Sequence, residues 1–159
     1  MSLKKNLILL VVAIALLILS FKFLPFHCYS KLCLEESVPT MRTETILLNN
    51  IPINALVADT EAERVQGLSG RNGLNESEGM LFVFDVPNKY GIWMKNMNFP
   101  IDIVWADGGK IISIEKSVSP TSYPKVFYPT SSARFILELP AGFCDTHDLK
   151  VGDSFSQGL

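Results

Sequence analysis

Two β-branched runs separated by a glycine-containing turn constrain the fold of this chain more than any other feature. Residues 101–106 and 110–115 flank Asp107-Gly108-Gly109. Asp-Gly and Gly-Gly pairs adopt the positive φ angles that tight hairpin turns need, and β-branched side chains favour extended backbone. The segment therefore predicts an antiparallel β-hairpin.

Further strand candidates recur between turn residues. They are residues 45–48, 53–58, 80–84, 91–97, 133–139 and 151–156. A capping-box pattern at Thr60-Glu61-Ala62-Glu63 predicts one helix from Glu61 to about Leu68. Residues 117–130 read as a long ordered loop, and residues 140–149 as containing a helical turn. Without regular β-α-β alternation, this pattern predicts a compact, mainly β domain with one short helix, either an antiparallel β-sandwich or a partly closed barrel.

The N-terminus predicts a membrane location. Residues 7–19 are an unbroken aliphatic run that follows Lys4 and Lys5, and the apolar segment extends to residue 26. We expect a cytoplasmic N-terminus (1–6), a single transmembrane helix (7–26), a linker (27–43) and a domain outside the cell membrane (44–159). A cleaved signal peptide, which would give a secreted protein, is the alternative. Cys28 and Cys33 follow the span and could form a local disulfide.

Charge is unevenly distributed along the chain. The 14 basic and 16 acidic residues give a net charge of -2, but residues 1–33 contain four lysines and no acidic residue. The remainder therefore has 10 basic and 16 acidic residues. An acidic body without a basic stripe argues against nucleic-acid binding, because neutralising phosphates requires clustered Lys and Arg.

Polar residues inside the apolar segment 91–105 are the candidate functional residues. If residues 91–97 form a strand, Trp93, Lys95 and Met97 share one face. Asp102 lies in the next strand and needs hydrogen-bond donors if both sheet faces are covered. Candidate donors are Arg64, Lys95, Asn96 and the amides of residues 97–99.

Two interpretations of these residues remain open. In the first, Asp102 is structural and ties a corner of the β domain to the helix that carries Arg64. In the second, the polar residues form the wall of a recess for a small anionic or sugar-like ligand. The candidate ligand-binding residues are Arg64, Trp93, Lys95, Asn96, Asp102 and Glu138.

Ordered motifs along the domain resemble one known family. They are ERVQGL at 63–68, GMLFVF at 79–84, WMKNM at 93–97, FPIDIV at 99–104, LEL at 137–139 with Gly142, and VGD at 151–153. In this order they resemble the domain-of-unknown-function-192 family over residues 45–157. The resemblance implies a compact, mainly β fold in a secreted or membrane-anchored prokaryotic protein. It implies no activity, catalytic residues or cofactor.

The favoured function is a small-molecule-binding or accessory module of the cell envelope. An envelope hydrolase with Asp102 and Glu138 as acid and base is one alternative, and a purely structural envelope protein is another. No Gly-x-Ser-x-Gly elbow or phosphate-binding loop is present, so no catalytic residues are assigned and an enzyme is disfavoured.

No cofactor or metal is predicted. With only two histidines in the chain, we expect Cys144 to be a small buried apolar residue.

Overall fold

The computed structural model describes residues 41–157. The predicted transmembrane helix, most of the predicted linker, and Cys28 and Cys33 lie outside these residues. Within the described range, none of the helices has the length and apolar character needed to span a bilayer.

Residues 41–157 form nine strands and short helices. The strands are β1 (Thr43–Leu48), β2 (Ile51–Ala58), β3 (Glu78–Asn88), β4 (Ile92–Trp93), β5 (Ile101–Asp107), β6 (Lys110–Val118), β7 (Val126–Phe127), β8 (Ala133–Pro140) and β9 (Phe155–Gln157). The helices are α1 (Glu61–Gln66), α2 (Phe143–Thr146) and a 3-10 turn (Pro120–Ser122). The mainly β prediction is confirmed, with more than one short helix.

Seven strands form one curled sheet in the order β6-β5-β8-β3-β2-β1-β9, and β4 pairs with β7 in a separate ribbon. The two edges of the large sheet meet at one end. There the amide of Ile111 donates to the Asp153 carbonyl (2.9 Å), and the amide of Phe155 donates to the Gly109 carbonyl (2.9 Å). A single sheet whose edge strands meet in this way is a partly closed barrel rather than a β-sandwich.

The prediction of an all-antiparallel sheet was wrong at one pair. β2 and β3 run parallel, with Asn54 opposite Glu78 and Ala58 opposite Phe82. Parallel neighbours need a long crossover, and residues 59–77, which include α1, provide it. The chain therefore contains one β-α-β unit that its irregular spacing of strands and helices concealed.

The predicted hairpin and helix start are both confirmed. Asp107 pairs with Lys110, and Gly108 and Gly109 have φ values of 54° and 76°. At α1 the Glu63 amide donates to Thr60 Oγ1 (3.3 Å), and the Thr60 amide donates to Glu63 Oε2 (3.0 Å). These reciprocal bonds satisfy amides that have no partner within the helix.

The prediction of a strand over residues 91–97 was wrong beyond its start. Only Ile92–Trp93 is a strand, and the chain then turns, with Met97 N donating to Met94 O (3.4 Å). Asn96 has a φ of 57°, a left-handed conformation that asparagine tolerates better than most residues. Lys95 is therefore presented from a turn rather than from one face of a strand.

The two faces of the curled sheet carry separate apolar cores. All seven strands contribute to the barrel interior, where Leu81, Val104 and Leu137 are buried together with Phe143 and Cys144 of α2. The outer face is a second core, built from Met80, Phe82, Ile103, Trp105 and Ile136 and from residues of β4 and β7. The β4–β7 ribbon covers this outer face, as its buried Ile92 and Phe127 show.

Asp102 is a fully buried carboxylate on the interior face of β5. Its Oδ1 accepts from the amides of Ser117 (2.7 Å) and Gly142 (3.1 Å), and its Oδ2 accepts from the amide of Cys144 (2.8 Å). One side chain therefore joins β5, the end of β6 and the start of α2. The expected tie to Arg64 was wrong, because Arg64 lies on the outer side of the sheet.

We predict that Asp102→Ala destabilises the domain by about 3 kcal/mol, because it leaves three amides, that of Cys144 fully buried, without their acceptor. Urea denaturation followed by tryptophan fluorescence measures this loss, since both tryptophans of the chain, Trp93 and Trp105, lie in the domain. Asp145→Ala is the control. It removes an exposed carboxylate that pairs with Lys116 and should cost less than about 1 kcal/mol. Equal, small losses in both variants would contradict a structural role for Asp102.

Candidate functional site

A recess of about 280 Å³ opens on the outer side of the sheet, between α1, β3 and the β4 segment. Phe82, Phe84 and Ile92 contribute apolar surface to it. Its polar groups come from Arg64, Lys95 and Glu138, with Glu61 on α1. The recess therefore combines an apolar wall with a small number of charged or polar groups, as ligand sites usually do.

Glu138 is the most unusual group in the recess. On β8 it lies opposite Met80 of β3 and Ile103 of β5, so its side chain shares the outer face with apolar neighbours. Glu138 is only 5% exposed, and its Oε2 has no hydrogen-bond partner. Burial raises the pKa of Glu138 from its ordinary value of 4.5 to about 8. At neutral pH the recess therefore contains a protonated carboxylic acid without a partner.

Arg64 is held at the end of α1 by the neighbouring backbone. Its Nη1 donates to the carbonyl of Val83 (3.0 Å) and to the carbonyl of Asp59. The guanidinium lies 5.0 Å from the ring centre of Phe84, which stacks on Tyr90 at 3.6 Å. Two carbonyls and an aromatic face thus fix one edge of the guanidinium and set its direction.

Trp93 and Lys95 form the outer rim of the recess. Trp93 is 54% exposed, and Lys95 Nζ lies 5.7 Å from the centre of its ring. The turn that follows Trp93 and carries Lys95 is tied to the chain after α1. Ser69 Oγ donates to Lys95 O (3.2 Å), and Gly70 N donates to Asn96 O (3.0 Å). One side-chain and one backbone hydrogen bond therefore hold the turn, while the Lys95 side chain is exposed.

The structure brings four of the six candidate residues together and separates two. Arg64, Trp93, Lys95 and Glu138 all line the recess. Asn96 is exposed and contributes its carbonyl to the turn. Asp102 lies inside the barrel, with its carboxylate occupied by backbone amides.

Asp102 and Glu138 cannot face one cleft as an acid and base pair. Asp102 is opposite Leu139, and Ile103 is opposite Glu138. Because directly paired residues share a face and neighbours along a strand alternate, the two carboxyl groups point to opposite sides of the sheet. The hydrolase hypothesis therefore loses its catalytic pair.

Several lining residues were not among the sequence candidates. Phe82, Phe84 and Tyr90 supply aromatic surface. The i, i+2 spacing of Phe82 and Phe84 could have indicated a shared face, but Tyr90 joins them only through the fold.

Among residues 41–157, no group of three or more His, Cys, Asp and Glu side chains is arranged to hold a metal. Cys144 is buried there as a free thiol, and burial raises its pKa to about 12.

Comparison with known proteins places the chain among uncharacterised relatives. Residues 44–157 match the model of the DUF192 family, which is described as an uncharacterized ACR. This chain belongs to the DUF192 family. A UPF0127 protein from Thermococcus gammatolerans is 29% identical to it over 102 residues, which are 63% of this chain and 63% of that relative. The chain thus spans less than two thirds of that relative's length.

Two crystal structures share the DUF192 fold of this chain. One, from Sinorhizobium meliloti 1021, is described as a proposed transcription regulator. It matches with a TM-score of 0.69 and 25% identity, and the match covers 74% of this chain and 95% of the S. meliloti chain. The other, from Novosphingobium aromaticivorans DSM 12444, is a protein of unknown function with a TM-score of 0.70 and 22% identity. That match covers 76% of this chain and 89% of the other. These similarities support the partly closed barrel.

We predict that stability falls with rising pH because of Glu138. Its folded-state pKa of about 8 exceeds the ordinary 4.5, so its contribution is fully present below pH 4.5 and is lost as the pH rises through about 8. The free energy of unfolding of the wild type, relative to Glu138→Gln, should fall by roughly 1.4 kcal/mol per pH unit within this window.

Urea denaturation at pH 5, 6.5 and 8 measures this difference. Glu61→Gln is the matched control, because it makes the same change at an exposed carboxylate beside the recess. Its difference from wild type should stay nearly constant over the same pH values. A constant difference for Glu138→Gln as well would show that the carboxyl ionises as an ordinary exposed group.

Proposed function

We propose that this DUF192 domain binds a small, sugar-like ligand with an anionic group in the recess beneath Trp93. The observation that carries the proposal is the Glu138 carboxyl, which is buried in the recess and has one oxygen without a hydrogen-bond partner. Buried polar groups are usually satisfied, because an unpaired group costs roughly 1–3 kcal/mol. Because Oε2 itself is enclosed, a ligand supplies the missing hydrogen bond by shifting the Glu138 side chain towards the recess, and it recovers this free energy only when bound.

The protonation state of Glu138 favours a hydroxyl-bearing ligand. A neutral carboxylic acid offers one O–H donor and a carbonyl acceptor, and a hydroxyl group can both accept and donate. A cationic ligand would instead have to approach Arg64 and Lys95, which line the same recess. A ligand hydroxyl group therefore suits the Glu138 carboxyl group better than a ligand ammonium group does.

The surrounding charges favour an anionic substituent on the ligand. Arg64 and Lys95 carry two positive charges, against one negative charge on exposed Glu61. Arg64 commits Nη1 to two carbonyls, and its other nitrogens make no hydrogen bond within residues 41–157. These nitrogens and Lys95 Nζ are suited to a carboxylate or phosphate. The half-exposed ring of Trp93 offers an apolar face on which a sugar ring can stack.

A location outside the cell membrane belongs to the same proposal. It is supported by the apolar segment 7–26, the lysines that precede it and the acidic composition of the chain after residue 33. An anchored domain of this kind would act as an accessory module that captures its ligand at the cell surface. The hydrolase alternative has no comparable support, because Asp102, its second carboxyl group, lies on the opposite face of the sheet from Glu138.

A thermal-shift experiment with the full-length chain tests ligand binding. Glucuronate, galacturonate and N-acetylneuraminate serve as anionic probes, and glucose and galactose as uncharged ones. We expect at least one anionic sugar to raise the melting temperature, because a ligand that binds only the folded state stabilises it by mass action. Trp93→Ala and Lys95→Ala should each weaken binding about tenfold, equivalent to about 1.4 kcal/mol.

Lys110→Ala is the control for Lys95→Ala. Lys110 is an exposed lysine on the β5–β6 hairpin and does not line the recess. Binding should survive this change unaltered. The proposal fails if no anionic sugar shifts the melting temperature, or if Lys110→Ala weakens binding as much as Lys95→Ala does.

A further inference from the structure

The basic residues of the domain are concentrated in two segments that contain no acidic residue. No Asp or Glu lies between Asp85 and Asp102 or between Glu115 and Glu138. These two segments carry Lys89, Lys95, Lys116, Lys125 and Arg134. Elsewhere, the described residues contain five basic and fourteen acidic side chains. Two segments of the acidic domain are therefore basic, which the overall charge does not reveal.

The fold joins these two segments through the β4–β7 ribbon. Trp93 pairs with Val126, and Ile92 pairs with Phe127. Trp93, Tyr123 and Tyr128 are exposed by 54%, 46% and 59%, and we call these three residues the aromatic shelf. Large exposed aromatic groups that lie close together are uncommon unless they meet a partner.

The shelf is already ordered without a partner. The Trp93 and Tyr123 rings meet edge to face with 6.3 Å between centroids. Tyr128 packs against Gly91, where an added Cβ would lie 2.6 Å from Tyr128 Cε1 and 2.5 Å from Val126 Cγ1. A preformed surface loses little conformational entropy when it binds.

The shelf and the recess share Trp93, so a ligand can pass from one to the other. Lys95 stands beside Trp93 at the rim, and Lys125 precedes Val126, the partner of Trp93, with its Nζ 4.3 Å from the ring centre of Phe127. We infer that the recess is one subsite of a longer site for an acidic glycan chain, whose next sugar units lie across the aromatic shelf. This inference rests on the proposed function and extends its ligand from a single sugar to a polymer.

The arrangement of charge favours a glycan over a nucleic acid. Lys116 is paired with Asp145, so four of the five basic residues in the two acid-free segments make no salt bridge within the described residues 41–157. Nucleic-acid binding depends on neutralising many closely spaced phosphates. A uronate glycan carries at most one carboxylate per sugar ring, fewer charges per unit length than duplex DNA, and the apolar faces of its rings can stack on Trp and Tyr.

The recess favours a glycan over a lipid surface. Trp, Tyr and Lys also occur where proteins meet bilayers. A phosphatidylglycerol bilayer, however, offers no sugar ring to enter a recess lined by the unpartnered carboxyl group of Glu138. Glu138 thus points to a hydroxylated partner, and Trp93 belongs to both parts of the site.

The experiment compares a monomer with its polymer on the full-length chain. Galacturonate is measured against polygalacturonate, with alginate and hyaluronate as further acidic glycans and dextran as the uncharged one. Biolayer interferometry gives Kd for each. We expect an acidic polymer to bind at least tenfold more tightly than its monomer, and dextran not to bind.

Shelf variants separate the two parts of the site. Tyr123→Ala and Lys125→Ala should weaken polymer binding at least fivefold and leave monomer binding unchanged, because neither residue lines the recess. Val151→Ala and Lys110→Ala are the matched controls. Val151 is exposed by 64% and lies outside both acid-free segments, as does Lys110.

Each outcome decides between the proposals. If a monomer binds but no polymer binds more tightly, or the shelf variants have no effect, the glycan inference is overturned and the recess proposal stands. If a polymer binds through the shelf while Trp93→Ala and Lys95→Ala leave monomer binding unchanged, the recess proposal fails. If no glycan binds but oligothymidylate or phosphatidylglycerol vesicles bind in a manner sensitive to Tyr123→Ala, the shelf recognises nucleic acid or lipid and the glycan inference is wrong.

Discussion

The pairing of β5 with β8 is the interaction on which the structure depends. It places two carboxyl groups one register position apart and on opposite faces of the same sheet, with Asp102 inside the barrel and Glu138 outside it. Inside, the amides of Ser117, Gly142 and Cys144 meet the Asp102 oxygens. Outside, the neighbours of Glu138 are largely apolar, and its Oε2 has no partner. A buried carboxyl group is satisfied where donors converge, whereas burial without donors raises the pKa of Glu138.

The recess follows from how the outer face is covered. The crossover through α1 brings Arg64 to the recess that Glu138 lines, and the β4–β7 ribbon brings Trp93 to it. Both elements bury apolar side chains against the outer face, and the space between them remains open. The same ribbon joins the two acid-free segments and exposes Trp93 beside the recess.

Local rules predicted the elements whose causes are local. The Asp107-Gly108-Gly109 turn and the Thr60–Glu63 capping box depend on neighbouring residues, and both are confirmed. The predictions failed where a distant contact decides the outcome. Residues 94–97 have strand-like composition but turn, because the chain after α1 binds their carbonyls. The parallel β2–β3 pair likewise depends on a crossover whose only regular structure is the short helix α1.

The sequence by itself determined the family, the mainly β character of the domain and four of the residues that line the recess. These follow from motif order, turn chemistry and the presence of charged or aromatic side chains in apolar surroundings. Only the tertiary structure decided which carboxyl group is structural and which is unpartnered. Asp102 and Glu138 both stand within apolar strands, and their roles separate only when the register of β5 against β8 assigns each to a face. That register is set by pairing between distant segments, and a one-residue shift would exchange the two faces.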